Sequence, residues 1–166
     1  HQISPIINDI SLLIGEDTVI VTLQNGIPWW YFQNFKGKNS GLVVESVDPG
    51  GVLFHNMDPD RIIGCIAYPA ATIIEPGVIK HIEGNRFPVG ELSGKETARV
   101  QKVSNLFTES GFRARILEDI RSEIWLKLWG NLTFNPISAL THSTLVDICQ
   151  FHLTRDLVAK MMKEAQ

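Results

Sequence analysis

Three residues in one helical stretch have the types and spacing to hold a polar ligand on one face. Lys127, Asn131 and Asn135 recur at i, i+4 and i+8. At about 100° and 1.5 Å per residue, they drift only about 40° per step and form a stripe about 12 Å long. An ammonium held beside a reacting oxygen can stabilise negative charge and deliver a proton, while neighbouring amides orient polar groups. Around them stand Ile124, Trp125, Leu126, Leu128, Trp129, Leu132, Phe134 and Ile137. This helix is apolar nearly all round, so a buried helix is expected. Buried polar groups need partners, and a cleft holding a polar ligand would supply them. Spacing alone leaves a second account equally open. Glu123 is placed for an i,i+4 ion pair with Lys127, the lysine stem can run along apolar surface, and the asparagines can bond nearby backbone. Pro136 disfavours helical geometry at Asn135 and removes a donor, so a kink that splays Asn135 is expected.

A second candidate is Asn25, in Leu23-Gln24-Asn25-Gly26. The preceding run, Thr18–Leu23, is β-branched without alternation, the pattern of a strand buried on both faces of a parallel sheet. Ligands of open α/β sheets bind beyond the carboxyl ends of the strands, so Asn25 can offer its amide to a ribose or a carboxylate. A plain Asn-Gly turn is the alternative. The chain contains neither G-x-G-x-x-G nor G-x-x-x-x-G-K-[ST], so it lacks the usual pyrophosphate cradle. Its histidines (His1, His55, His81, His142, His152) show no metal-ligand spacing, and no G-x-S-x-G elbow occurs. The aromatic run Trp29–Phe32 reads as packing or an interface.

These residues need a scaffold. A helix is expected over residues 2–14, with Pro5 in its first turn and Gly15 as its stop. A helix start near Trp29 and a long loop with a short hairpin around residues 42–55 follow. Ile62–Tyr68 reads as a buried strand. Val78–Glu83 and Arg86–Gly90 read as a hairpin turning at Glu83-Gly84-Asn85. A helix at 94–110, a short strand at 112–117, and helices at 120–140 and 144–165 complete the pattern. The fold class is α/β: a partial Rossmann-type doubly wound sheet followed by the start of an all-helical domain. The boundary is expected at residues 118–119.

Apolar residues make up 44% of the 166 and charged residues 20%, which suits a packed globular chain. A net charge of −3 offers no basic field for nucleic acid or an anionic membrane, and no apolar run is long enough to span a bilayer. Cys65 and Cys149 lack CxxC spacing and read as reduced thiols of a cytoplasmic protein. Both ends read as cut, because no initiator methionine or stop signal brackets the outer helices. Exposed edges of a cut chain are expected to drive homo-oligomerisation.

Several blocks resemble ketopantoate reductase. They are Thr22-Leu-Gln-Asn-Gly26, Gly64-Cys-Ile-Ala-Tyr-Pro-Ala70, Gly77-Val-Ile-Lys-His-Ile-Glu-Gly84 and Phe87-Pro-Val-Gly90. The most specific is Arg121-Ser-Glu-Ile-Trp-Leu-Lys-Leu-Trp-Gly-Asn-Leu-Thr-Phe-Asn-Pro-Ile-Ser-Ala-Leu140. The resemblance implies a central fragment of an NADPH-dependent enzyme that reduces a 2-oxo acid, 2-dehydropantoate to pantoate or a close relative. It implies that residues 1–118 are the C-terminal part of an NADP-binding Rossmann domain, and 119–166 the N-terminal part of a helical substrate and dimerisation domain. Lys127 then resembles the general acid, and Asn131 and Asn135 the substrate-binding amides. Asn25 resembles the residue at the nicotinamide ribose and substrate, and Ala70 a backbone contact to the cofactor. Tyr68 stands where the family often has His, and Leu145 where it has a further substrate Asn, which points to a paralogous 2-oxo acid. The rival readings are another NAD(P)-dependent hydroxy-acid dehydrogenase of the same two-domain architecture and a non-catalytic, oligomerising fragment.

Overall fold

A computed structural model describes residues 3–166. The chain divides into two compact units, His1–Arg121 and Ser122–Gln166. His1 and Gln2, the expected start of the first helix, lie outside the described residues. From Ser4 to Ile6 the chain is a 3-10 turn, and α1 covers Ile7–Ser11.

The first unit is built on a three-stranded sheet of β1 (Ile20–Leu23), β2 (Ile62–Cys65) and β5 (Val89–Glu91), in the order β1-β2-β5. β1 and β2 are parallel, with Leu23 opposite Cys65, and β5 runs antiparallel to β2. Side chains alternate across a strand, so the two faces of β2 have different cover. Ile63 and Cys65 join Val89 and Val100 in one buried cluster, with Val100 supplied by α3 (Ala98–Glu109). The other face is a row of small residues, Thr22–Gly64–Gly90, one from each strand. Trp30 and Ile120 lie on that floor: a Cβ added to Gly64 would come within 2.8 Å of both. The Trp30 indole N–H donates to Thr22 Oγ1 at 3.0 Å, satisfying its one polar atom in a buried setting. Cover on both faces suits the continuous apolar run of β2, which is buried throughout, whereas β1 is only partly covered, with Thr22 buried and Leu23 exposed, so its expected burial on both faces is not met.

The expected hairpin pairs differently. β3 (Ala70–Glu75) and β4 (Val78–Glu83) form a separate two-stranded ribbon, while the residues that follow β4 return to β2. The turn is Glu75-Pro76-Gly77-Val78, with Gly77 at φ 80°, where proline presets the first corner and glycine takes the left-handed second. Gly84, also at φ 80°, packs against Pro69 and the Tyr68 carbonyl, turning the chain back along Tyr68. Residues 112–117 contribute only isolated parallel bridges, Arg86 with Arg113 and Val89 with Ile116.

No strand forms between residues 42 and 55, and no helix starts at Trp29, which opens a series of turns. Buried Asp48 accepts the backbone N–H of Leu53 at 3.0 Å and of Phe54 at 2.8 Å, fixing the start of α2 (Val52–Asn56). Asp48-Pro-Gly-Gly is thus the entry to a short helix rather than a hairpin turn.

The second unit holds most of α4 (Ile120–Thr141) together with α5 (Leu145–Gln150) and α6 (His152–Ala165). The helix expected over 144–165 breaks at extended Phe151. Ile137, Ile148 and Val158 make the buried core of the three helices, with Phe134, Met161 and Met162 packed on it. Among the described residues, no helix is long and apolar enough to cross a membrane.

Candidate active site

α4 carries Lys127, Asn131 and Asn135 on one stripe. It continues through Pro136, so the helix does not break there. Two contacts seat the middle of the helix: the Trp129 indole N–H donates to the Met162 carbonyl at 2.7 Å, and buried Thr133 donates to the Trp129 carbonyl at 2.8 Å. Lys127 and Asn131 are half-buried and Asn135 is exposed. The expectation of a helix buried all round is not met. Trp125 is 43% exposed, Leu126 59% and Leu140 84%. Two short partner helices cover only the side of α4 that carries Ile137 and Phe134. An apolar groove of about 440 Å³ runs along Ser122, Trp125, Leu126 and Trp129. Those positions are turned by roughly 100–200° from the lysine–asparagine stripe, so groove and stripe are separate features of the helix.

The first turn of α4 is anchored within the first unit. Arg121 donates from Nε to the Tyr31 carbonyl and from its two terminal nitrogens to those of Leu92 and Gln33, each at 2.7 Å. Its guanidinium also lies 5.4 Å from the Phe35 ring centre. Burial pushes its pKa below the usual arginine value, against the opposing pull of Tyr31 and Asp119. Sequence reasoning assigned Arg121 no role, although a cation one residue into a helix, ahead of an aromatic-rich stretch, was a usable signal.

Asn25 and Ala70 belong to the first unit. Asn25 is exposed two residues beyond β1, at the carboxyl end of the parallel pair. A Cβ on the following Gly26 (φ 80°) would meet nothing within 4 Å. Ala70 lies beyond the strand expected over Ile62–Tyr68 and begins the next one. β2 stops at Cys65, the ladder runs on through Ile66 and Tyr68 to the Pro88 and Arg86 carbonyls, and Ala70 opens β3. Pro69 interrupts the ladder because it has no N–H to give. Tyr68 is half-buried, and the Arg86 guanidinium lies 4.2 Å from its ring centre.

Residues 119–166 match the family model for the ketopantoate reductase PanE/ApbA C-terminal domain. Across all of its length the chain is 48% identical to 2-dehydropantoate 2-reductase of Mesorhizobium japonicum, covering 51% of that protein. A Ralstonia solanacearum structure provisionally named a ketopantoate reductase superposes with a TM-score of 0.88 at 33% identity, over 98% of this chain and 51% of that one. A 2-dehydropantoate 2-reductase from Geobacter metallireducens gives 0.76 at 27% identity, over 98% and 48%. D-mandelate dehydrogenase, solved with NADH, shares the fold at 20% identity and a TM-score of 0.78, over 99% of this chain and 48% of that one. With a parallel αβ unit, a helical segment matched by the family's C-terminal model and identity along its whole length, the chain is similar throughout to ketopantoate reductases and spans about half the length of the curated relatives it matches.

Proposed function

We propose that the intact protein reduces a 2-oxo acid with NADPH, by a reaction of the 2-dehydropantoate 2-reductase type. The observation that carries this reading is the unbroken α4 stripe of Lys127, Asn131 and Asn135, inside the segment matched by the family's C-terminal model. When bound, NADPH supplies a hydride to the substrate's ketone carbon. Lys127 supplies the other half of the chemistry, stabilising negative charge on the ketone oxygen and giving it a proton. Asn131, one turn along, and Asn135, two turns along, bind polar groups of the substrate and hold it in register with that lysine. Asn25 holds the nicotinamide ribose, and the backbone at Ala70 is a further cofactor contact.

Steady-state oxidation of NADPH by the purified intact protein, with 2-dehydropantoate and with aryl and alkyl 2-oxo acids, tests this directly. Turnover of at least one 2-oxo acid is expected, and turnover of none of them overturns the reading. Tyr68 and Leu145 favour a second reading, in which the preferred acid is not 2-dehydropantoate but that of a related hydroxy-acid dehydrogenase. A kcat/KM for another 2-oxo acid above that for 2-dehydropantoate would establish it. We also assign the protein to the cytoplasm, consistent with Cys65 and Cys149 forming no disulfide, and to self-association, as in the dimeric ketopantoate reductase described for Staphylococcus aureus.

A further inference from the structure

We infer that Arg86, laid on the ring of Tyr68, is a specificity-determining residue that takes the carboxylate of the 2-oxo acid. This assignment rests on the oxo-acid reductase reading above. The pair sits at the end of the sheet where ligands of α/β folds bind. Leu23 and Cys65 are opposite one another at the carboxyl ends of β1 and β2. Asn25 lies two residues beyond the first, and Tyr68 three beyond the second. Arg86 is brought there by backbone pairing: the Tyr68 N–H donates to the Arg86 carbonyl at 3.1 Å, and the Phe87 N–H to the Arg113 carbonyl at 2.8 Å. Its position is therefore set by the ladder rather than by a mobile loop.

The side chain is prepared for an anion. Its Cζ is 4.2 Å from the Tyr68 ring centre, so the ring face holds the guanidinium while its N–H edge stays available. Tyr68 is half-buried, a firm platform, whereas Arg86 is exposed. Among the described residues no carboxylate pairs with the Arg86 guanidinium. A planar fork of donors, oriented by stacking and not neutralised by a carboxylate, matches a carboxylate in two parallel hydrogen bonds. Lysine cannot reproduce that match, because its ammonium is a point charge that does not stack flat.

The test uses the intact protein with NADPH, a reducible 2-oxo acid and the corresponding neutral 2-oxo amide. Losing a charge-assisted contact predicts that Arg86→Ala raises KM for the acid by roughly 10- to 100-fold, with kcat within about twofold. Arg86→Lys should recover only part of the loss. Tyr68→Leu, which removes the ring face, should raise KM by about 2- to 5-fold, and Tyr68→Phe should not. KM for the amide and Kd for NADPH should be unchanged in all four variants. An unchanged KM for the acid in Arg86→Ala overturns the assignment while leaving the reductase reading intact. An equal loss for acid and amide, or a weaker Kd for NADPH, overturns it in favour of a structural or a cofactor-phosphate role. Wild-type protein that reduces no 2-oxo acid overturns both readings together.

Discussion

Lys127 and Arg121 are both cations on α4, six residues apart, yet they have different work. Arg121 is spent on structure: the carbonyls of Tyr31, Leu92 and Gln33 accept from it. Arg121→Ala would strand these acceptors in a half-buried site, with an expected loss of roughly 3 kcal/mol in urea unfolding of the chain. A loss under about 1 kcal/mol would mean that water replaces the guanidinium without cost. Lys127 stands on the lysine–asparagine stripe, and its replacement should register in catalysis. Lys127→Ala in the intact protein is expected to lower kcat by roughly 100- to 10,000-fold with the melting temperature little changed. Turnover near that of wild type would remove it from the acid role. Spacing made the stripe visible, but the role rests on the quoted motif. The residue-level feature that could not be read in advance is the Arg86–Tyr68 stack, because its members are eighteen positions apart and meet only through the ladder.

At the scale of elements, glycine decides where the sheet can be covered. Gly64 faces Gly90 across the ladder, and each leaves room for Ile120 at the start of α4. A methyl at Gly64 would sit 2.8 Å from both Ile120 and Trp30. Gly64→Ala should therefore cost roughly 1–3 kcal/mol of stability by overpacking, measured by chemical denaturation, although Ala is the better strand former. Stability equal to wild type would show that the Trp30 and Ile120 packing is loose. α5 depends on a capping box: Thr144 Oγ1 accepts from the Asp147 N–H, and the Asp147 carboxylate accepts from the Thr144 N–H and hydroxyl. The Thr144 hydroxyl, then its backbone N–H, hold the Asp147 carboxyl below the usual aspartate range. A group depressed in the folded state contributes fully above its unfolded pKa and loses that contribution as pH falls through the folded value. Helicity of α5 should therefore fray only in acid, below the ordinary aspartate pKa. The chemical shifts of residues 145–150 should not move between neutral pH and pH 5. Movement in that interval would assign the cap's stability to another group.

At the scale of the whole molecule, the parallel pair stands without a glycine-rich phosphate loop in this sequence. The 166-residue chain alone is therefore expected to bind NADPH no more tightly than the millimolar range, by fluorescence titration. Micromolar affinity would show that the cradle is dispensable. β1 pairs on one side only, and α4 exposes Trp125 and Leu126. An open strand edge and an apolar helix face predict self-association of the isolated chain, and a monomer in sedimentation velocity at high concentration would refute it. What the amino-acid order determined by itself was local: the strands β1 and β2 and the burial of the second, the long helix 120–141 within one residue, and the lysine–asparagine stripe that its 3.6-residue period aligns. Tertiary structure alone decided which strand β5 joins, whether Pro136 breaks α4, how much of that helix is covered, and which aromatic ring receives Arg86. Hydrogen-bond ladders and packing select partners by distance in space. A sequence pattern marks which residues seek cover, while the cover itself comes from segments such as Trp30 and Ile120, ninety positions apart, meeting on one glycine floor.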